Sequence, residues 1–304
     1  MTSKEKVILI TRRTHFAELV AQYNTEAQAE FVVNSRGDNF EEYRLEHHRY
    51  LESLQQVEAG LQGLARVQTL DREYLANFIF GQKDIIVVVG QDGLVANTLK
   101  YLNGHPVVAI NPEPRRYDGV LLPFQVADSA TVVNDVIHNR YESKTITMAK
   151  AKLNDGQELL AVNDFFIGPR LQTSARYEIT FGDKSEAQSS SGIIVSTGLG
   201  STGWMKSVLA GAQGVVGKAQ DTHLSMEWDS DYLQFAVREP FPSQTTGVEI
   251  VFGKVDNQRP LTVASRMPSN GVIFSDGMVE DIVEFNSGAS VQIACSARKG
   301  ILVV

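Results

Sequence analysis

The stretch Asp84-Ile-Ile-Val-Val-Val-Gly-Gln-Asp-Gly93 decides the fold of the N-terminal half of this chain. Its run Ile85–Val89 is continuously apolar and β-branched, which is typical of a parallel strand buried on both faces. A glycine-containing turn follows, and residues 94–102 then predict a helix. The apolar run at 106–110 predicts the next strand. This alternation of strand, helix and strand indicates a parallel α/β sheet.

Elements on the N-terminal side extend the same pattern. Residues 7–10 predict a short buried strand, and one helix is expected from His15 to about Phe31. A longer helix is expected from about Phe40 to Leu64, where apolar residues recur at steps of three and four. Such a stripe more often packs on the protein's own sheet than on a partner. We assign residues 1–140 to an α/β domain.

The pattern changes after about Lys144. Apolar and polar residues alternate from 144 to 152, and Asn154-Asp-Gly156 predicts a hairpin turn. Further strand-like runs lie at 158–162, 177–181, 192–196, 233–237, 248–252, 261–264, 271–274, 282–285, 290–295 and 301–304. Residues 141–295 are therefore expected to form a second domain. The predicted fold class is an α/β domain with a parallel sheet followed by a mostly antiparallel, all-β domain.

Composition and charge restrict the function. The chain has 304 residues, 43% of them hydrophobic, which excludes wholesale disorder. Its net charge of −8 argues against non-specific nucleic-acid binding, so an anionic ligand needs a local site. The single cysteine, Cys295, lies in an apolar run and predicts a buried thiol in a reducing compartment. We see neither a membrane-spanning run nor a signal-peptide core, and we expect a cytoplasmic protein that binds no membrane.

Three loops have residues suited to chemistry. The first is Gly90-Gln-Asp-Gly93, where glycine backbone and a helix N-terminus suit phosphate binding. Because ligands of open α/β sheets bind at the carboxyl ends of the strands, Asp92 is a candidate base or Mg²⁺ organiser. The alternative is that Asp92 caps the following helix.

The second loop, Ser196-Thr-Gly-Leu-Gly-Ser-Thr-Gly203, contains a GxGxxG pattern, and Asp221 follows about twenty residues later. We do not interpret it as a dinucleotide-binding turn, because the neighbouring strands look antiparallel. Its hydroxyl and N–H donors still suit a phosphate or a ribose. Trp204, which follows, either flanks a ligand or anchors the core.

The third loop places Asn163 and Asp164 inside an apolar run. Buried polar groups need partners, so this pair either satisfies nearby backbone or binds hydroxyl and amino groups of a ligand. We expect no resident metal site. The histidines are scattered, except for the neighbours His47 and His48, which point in different directions on a helix.

Taken in order, these loops resemble the NAD kinase family. That family has a Gly-Gly-Asp-Gly loop in an α/β domain, followed by an Asn-Glu pair and a Ser/Thr/Gly-rich loop in an all-β domain. Here the loops read Gly90-Gln-Asp-Gly93, Ala161-Val-Asn-Asp164 and Ser196-Thr-Gly-Leu-Gly-Ser-Thr202. The stretches 109–119 and 163–168 are similar to the mitochondrial type, and Phe274-Ser-Asp-Gly277 has a weaker likeness.

The resemblance implies a role for each matching position. Asp92 would act as base for the 2′-hydroxyl of the adenosine ribose of NAD, with ATP and Mg²⁺ required and NADP as product. The other implied positions fall into three groups: Gly90 and Gly93 on the phosphates, Asn163 and Asp164 on the adenosine, and Thr197, Gly200, Ser201 and Thr202 as donors beside Trp204. The family also implies a homodimer or larger homo-oligomer, and a last strand at about 296–304 that returns to the first domain.

Departures from the family pattern keep alternatives open. Gln91 stands where the family has a glycine, so a side chain lies where backbone approaches phosphate, and Asp164 replaces a glutamate. One alternative is a kinase that acts on another hydroxyl, such as that of a sugar. Another is a nucleotide-binding module without turnover.

Overall fold

The structure is a computed structural model that describes residues 5–217, 226–278 and 281–304. The chain divides into two compact units. Unit 1 consists of Met1–Lys144 together with Ile301–Val304, and unit 2 consists of Thr145–Gly300.

Unit 1 is built on a parallel sheet with the strand order β2-β1-β3-β4-β5. The C-terminal residues Ile301 and Leu302 pair in parallel with Pro106 and Val107 of β4. The strands are β1 (Lys6–Thr11), β2 (Arg66–Asp71), β3 (Ile85–Val89), β4 (Pro106–Asn111) and β5 (Phe124–Gln125). The helices are α1 (His15–Tyr23), α2 (Glu26–Ser35), α3 (Phe40–Gln62), α4 (Asp92–Lys100) and α5 (Ser129–Ile137), with short 3-10 turns at Arg72–Asn77 and Val126–Asp128.

Helix α3 covers the sheet of unit 1. It begins after Asn39, whose side chain accepts the N–H of Glu41 as an N-cap. Its buried residues Tyr50, Val57 and Leu61 pack in one apolar cluster with strands β1 and β3. The apolar stripe of the sequence therefore faces the protein's own core.

The single helix expected from His15 to Phe31 is wrong, because the structure has two. Helix α1 ends at Tyr23, and Asn24 adopts a left-handed conformation with φ 64°. Asparagine tolerates this conformation better than most residues, and it turns the chain. The Thr25 side chain then accepts the N–H of Gln28 and starts α2. Strand β2, absent from the sequence prediction, is short and flanked by charged residues, with only Leu70 buried.

Unit 2 contains two sheets. Within the described residues, one has the antiparallel order β10-β9-β14-β17, with β6 and β7 paired beside it, and the other has the antiparallel order β13-β12-β11-β8-β15-β16. The elements are β6 (Ser143–Leu153), β7 (Glu158–Ala161), β8 (Asp164–Pro169), β9 (Ala175–Phe181), β10 (Lys184–Ser190), β11 (Ile193–Ser196), a 3-10 turn (Gly200–Thr202), α6 (Trp204–Val216), β12 (Leu233–Val237), β13 (Phe252–Val255), β14 (Leu261–Ser265), β15 (Gly271–Ser275), β16 (Ile282–Glu284) and β17 (Ser290–Val303).

The core of unit 2 lies between these sheets. Phe165 and Phe235 from one sheet pack in a buried cluster with Tyr177, Val263 and Ile293 from the other. Together, the parallel sheet of unit 1 and the antiparallel sheets of unit 2 confirm the predicted fold class.

Two strand predictions for unit 2 are wrong in detail. The run 248–252 is not a strand, because the N–H groups of Glu249 and Ile250 donate to the Glu186 carboxylate instead of a neighbouring strand, and β13 begins only at Phe252. The runs 290–295 and 301–304 belong to one strand, β17, which continues through the polar residues 296–300.

Candidate functional site

Asp92 lies at the carboxyl end of strand β3, where α4 begins. The N-cap residue is Gln91, whose side chain makes no capping hydrogen bond, and Asp92 is the first helical residue. Its Oδ1 accepts the N–H of Leu121 at 2.8 Å, and its Oδ2 accepts the N–H of Val120 at 3.2 Å. Asp92 therefore does not cap the helix with its side chain but fixes a neighbouring loop. A carboxylate has about four acceptor positions, so both oxygens keep capacity for a further donor.

The two glycines beside Asp92 differ in surroundings. The N–H of Gly90 donates to the carbonyl of Ile110, and a Cβ added at Gly90 would meet the Leu94 side chain at 2.7 Å. Gly93 is exposed, with no heavy atom within 4 Å of an added Cβ. Of these two glycines, Gly93 leaves room for a ligand to approach the backbone.

A chain of polar side chains reaches Gln91 from within unit 1. The Gln91 side chain lies beside the hydroxyl group of Tyr117, and this hydroxyl donates to Oε1 of Glu46 at 3.3 Å. Burial raises the pKa of the Tyr117 hydroxyl. Glu46 forms a buried ion pair with Arg12 at 2.7 Å, and the Arg12 guanidinium lies over the ring of Tyr50. Gln91 thus lies at the end of this chain of polar side chains.

Sequence reasoning missed this chain of residues. Two local signals were present, because Arg12 directly follows β1 and because Glu46 and Tyr50 are four residues apart and share a face of α3. The position of Tyr117 in a loop after β4 gave no comparable signal.

Asn163 and Asp164 lie in unit 2, at the turn between β7 and β8. The carboxylate of Asp276 accepts the backbone N–H of Asn163 at 2.7 Å and those of Val162 and Asp164 at 3.1 and 3.2 Å. The three backbone N–H groups of this segment are therefore satisfied by an aspartate that is distant in the sequence. The side chains of Asn163 and Asp164 are not used in these bonds.

The Asp164 carboxyl group is buried beside another acid. Its exposed fraction is 7%, and burial together with the charge of Asp276 raises its pKa to about 7. No described residue donates a hydrogen bond to this carboxyl group. A buried carboxyl without a protein partner is suited to a ligand that supplies the missing hydrogen bond.

The loop after β11 is folded onto this turn. Oγ1 of Thr197 donates to the carbonyl of Val162 at 2.5 Å, and the N–H of Thr197 donates to the carbonyl of Asn163 at 2.9 Å. A Cβ added at Gly200 would lie 2.1 Å from the carbonyl oxygen of Asn163. The structure therefore brings Asn163, Asp164, Thr197 and Gly200 together, and Gly200 is needed for the close approach.

Most hydroxyl groups of this loop bond to the loop itself. Oγ of Ser201 donates to the carbonyl of Gly198 at 2.7 Å, and Oγ1 of Thr202 donates to Leu199 at 3.3 Å. Ser201 is buried and Thr202 is exposed. Thr202 is the more accessible of these two hydroxyl groups.

Trp204 packs as a core anchor. Its ring stacks on Phe166 with centroids 5.7 Å apart and lies 6.3 Å from Phe274. The guanidinium of Arg238 lies over the Trp204 ring, 5.5 Å from its centroid. Trp204 is half-buried in this cluster, and its place beside a ligand stays a prediction.

The GxGxxG loop follows β11, which is antiparallel to both of its neighbours, so the dinucleotide-binding geometry of a parallel sheet is absent there. Asp221 lies outside the described residues. In the described ranges, no group of three metal-ligating side chains comes together, and no helix is long and apolar enough to cross a membrane.

The architecture is that of the NAD kinases, which confirms the resemblance at the level of the fold. The yeast NADH kinase, solved in complex with NADH, superposes with a TM-score of 0.62 at 13% identity and covers 100% of this chain and 84% of its own. An NAD kinase from Archaeoglobus fulgidus, solved in complex with ATP, gives a TM-score of 0.58 at 17% identity and covers 98% and 93%. No protein-family model and no curated protein matches the sequence.

Proposed function

We propose that this protein is a phosphotransferase of the NAD kinase type, which transfers the γ-phosphate of ATP to the 2′-hydroxyl of the adenosine ribose of NAD and forms NADP. One observation carries the proposal: a carboxylate, Asp92, stands at the carboxyl end of a parallel strand in a chain that has the NAD kinase fold over its whole length. Ligands of open α/β sheets bind at this edge.

Asp92 is proposed as the general base. The ribose oxygen attacks the γ-phosphorus, the bond to the β-phosphate oxygen breaks, ADP leaves, and the hydroxyl proton passes to the Asp92 carboxylate. The N–H groups of Val120 and Leu121 hold that carboxylate in a fixed orientation. Proton transfer to a positioned base is typically worth about 10²–10⁴-fold in rate.

Asn163 and Asp164 are proposed to bind the adenosine. The Asp164 carboxyl is buried with a pKa raised to about 7, so near neutral pH it is able to donate to a ring nitrogen or to accept from a hydroxyl or amino group. Because no described residue forms a hydrogen bond with this carboxyl group, a donor or acceptor of the ligand would compensate for the cost of its burial.

Mg²⁺ is proposed to enter with ATP. Such an ion would be held mainly by phosphate oxygens and one or two carboxylates. Asp92 is the carboxylate placed to contribute. When bound, the ion would neutralise charge on the transferred phosphate.

A nucleotide-binding module without turnover is the second candidate. The observation that favours it is Gln91, whose side chain lies beside Tyr117 at the position where the family has glycine. A side chain there takes up room that phosphates need, whereas the proposed binding of adenosine by unit 2 does not depend on Gln91.

The decisive experiment measures NADP formation by purified protein with ATP and Mg²⁺, in a coupled assay with an NADP-specific dehydrogenase. NAD and NADH are tested as acceptors, and ATP and polyphosphate as donors. NADP formation supports the kinase. A melting temperature raised by NAD or ATP without NADP formation supports the binding module, because any ligand of the native state stabilises it. If ATP, ADP, NAD and NADP all fail to raise the melting temperature, both proposals are wrong.

The same sample tests the remaining expectations about assembly. Light scattering reports whether the protein is the predicted homodimer or larger homo-oligomer. Fractionation of the source cells tests the predicted cytoplasmic location.

A further inference from the structure

We propose that unit 2 has a second ligand site, an arginine-lined groove that binds organic phosphates. The groove has a volume of about 1030 Å³, which is in the range of pockets for small ligands. It lies where strands of both sheets begin or end: Arg170 follows β8, Arg176 is the second residue of β9, and Arg238 follows β12. We call it the arginine groove. The inference does not rest on the kinase proposal.

The three guanidinium groups have no acidic partner. No described residue forms an ion pair or a side-chain hydrogen bond with Arg170, Arg176 or Arg238. Arginine elsewhere in the chain is commonly paired, as in Arg12 with Glu46 and Arg266 with Glu178. In a protein with a net charge of −8, three unpaired arginines around one hollow form a local positive site. Guanidinium groups match phosphate geometry better than any other side chain.

Arg238 is held in position. It is half-buried, and its guanidinium lies 5.5 Å from the ring centroid of Trp204, which itself stacks on Phe166. Phe166 also lines the arginine groove. Such a cation–π contact limits the conformations of the arginine before a ligand arrives, which lowers the entropic cost of binding.

The remaining lining supplies hydroxyl groups and an apolar rim. Ser174, Ser189 and Ser191 line the groove and are exposed or half-buried. At the rim, Leu171 is 59% exposed and Phe241 is 63% exposed. Arginines and serines suit a phosphate group, and an exposed phenylalanine suits a planar ring.

An acidic residue and an adjoining hollow restrict the class of ligand that fits the groove. Glu239 also lines the groove, so the lining is positive by three arginines against one glutamate. A second hollow of about 490 Å³ shares Arg176, Ser189 and Phe241 with the arginine groove. Arg176 therefore borders both spaces. The ligand class that fits is a phosphorylated small molecule with a planar part, as in a nucleoside monophosphate.

The test uses isothermal titration calorimetry of the full chain at low ionic strength, with pyrophosphate, AMP and adenosine as probes. Arg170→Gln/Arg176→Gln removes two guanidinium groups that the kinase proposal does not use. The double variant Arg36→Gln/Arg140→Gln removes the same charge from exposed positions of unit 1 and serves as the control. We expect the groove variant to bind pyrophosphate and AMP at least about tenfold more weakly than the wild type, and the control to bind like the wild type.

Three results would overturn the proposal. The first is a wild type that does not bind pyrophosphate, or a groove variant that binds it unchanged. The second is an equal loss in the control variant, which would indicate a general charge effect. The third is adenosine binding as tight as AMP binding, which would show that the phosphate is not recognised. The wild type could also prove to be an oligomer that binds no pyrophosphate, with the groove variant a monomer. In that case the groove is an interface between copies, and the ligand proposal is wrong.

The kinase proposal and the arginine groove fail separately. With Asp92→Asn present, substitution of Arg170 and Arg176 is expected to weaken pyrophosphate binding by the same factor as in the wild type. A protein without NADP formation would still lose affinity for pyrophosphate on substitution of Arg170 and Arg176.

Discussion

The carboxylate of Asp276 accepts the backbone N–H of Asn163 at 2.7 Å, although the two residues are 113 positions apart in the chain. Two further N–H groups of the same turn reach this carboxylate. In return, the N–H of Asp276 donates to the carbonyl of Asp164 at 2.9 Å. The stretch 274–277, which has only a weak sequence likeness to the family, thus orients the turn that carries Asn163 and Asp164.

The first prediction concerns the pH dependence of stability. The Asp164 pKa is raised from 3.8 to about 7 in the folded chain, so the folded state binds the proton more tightly than the unfolded state. The stability gained from this proton is complete below the unfolded value and is lost as the pH rises through about 7. An asparagine side chain does not titrate. The free energy of unfolding of Asp164→Asn, relative to that of the wild type, should therefore be higher at about pH 8 than at about pH 5, by a few kcal/mol at most.

Urea unfolding of both proteins at the two pH values measures this difference. Asp183→Asn, which changes an exposed aspartate of the same unit, is the control and should show no such trend. An Asp164→Asn variant whose relative stability is the same at both pH values would show that the Asp164 pKa is not raised.

The sequence was sufficient for the elements with strong local patterns. Strand β3 and helix α4 follow from a continuous apolar run and a glycine turn, and α3 follows from its apolar period. The break between α1 and α2 was missed because a single asparagine in a left-handed conformation replaces a proline or glycine signal. The run 248–252 was misassigned because a carboxylate, Glu186, takes the N–H groups that a strand would use.

The candidate site was less accessible to sequence reasoning. Loops with glycine, serine and acidic residues identified Asp92, Asn163 and Asp164 as candidates. The long-range partners of these residues left no local pattern, as Asp276 and Tyr117 show. Three of the glycines and hydroxyl residues expected to contact a ligand, Gly90, Gly200 and Ser201, also make close contacts within the protein. A glycine-rich loop indicates that another group lies close to its backbone. The sequence does not say whether that group belongs to a ligand or to the protein itself.

The second prediction tests the close approach at Gly200. A Cβ there would lie 2.1 Å from the carbonyl oxygen of Asn163, and backbone atoms cannot move aside as a flexible side chain does. Gly200→Ala should therefore lower the free energy of unfolding by about 1–3 kcal/mol, the usual cost of overpacking. Thermal or urea unfolding measures the change.

Gly211→Ala is the matched control for this substitution. Gly211 lies inside α6, and an added Cβ meets nothing within 4 Å. Alanine is a better helix residue than glycine, so this variant should be more stable by about 0.5–1 kcal/mol. Equal stability of the two variants would contradict the packing of Gly200 on Asn163.

The third prediction concerns Gln91 and the neighbouring Tyr117. If the Gln91 side chain obstructs phosphates, Gln91→Gly should raise kcat/KM for ATP by clearing the backbone at the start of α4. Gln91 has φ −108° and ψ 165°, an extended conformation that glycine also adopts, so the turn itself should persist. Steady-state kinetics with varied ATP measures the effect.

Tyr117→Phe separates obstruction from loss of the polar chain. This variant removes the hydroxyl that donates to Glu46 and lies beside Gln91, but it keeps the Gln91 side chain in the loop. Obstruction predicts a gain for Gln91→Gly that exceeds any gain for Tyr117→Phe. A decrease in kcat/KM for Gln91→Gly would show instead that the amide contributes to binding.

The fourth prediction tests Asp92 as the general base. Asp92→Asn keeps the shape of the side chain but removes the proton acceptor, so turnover should fall by at least about a hundredfold with a modest change in KM. The structure adds a competing effect, because both carboxylate oxygens accept N–H groups and an asparagine has only one acceptor oxygen. Loss of one of these bonds would lower the melting temperature, whereas loss of the base would not.

Measuring both quantities on the same variant therefore separates the two roles of Asp92. Asp118→Asn, an exposed acid close in sequence to the loop that Asp92 holds, is the control and should preserve both turnover and melting temperature. A variant with lowered melting temperature and near-wild-type NADP formation would make Asp92 a residue that only fixes the loop at 120–121. Turnover reduced a hundredfold at an unchanged melting temperature would support the proton acceptor, because the fold then tolerates the amide and the chemistry does not.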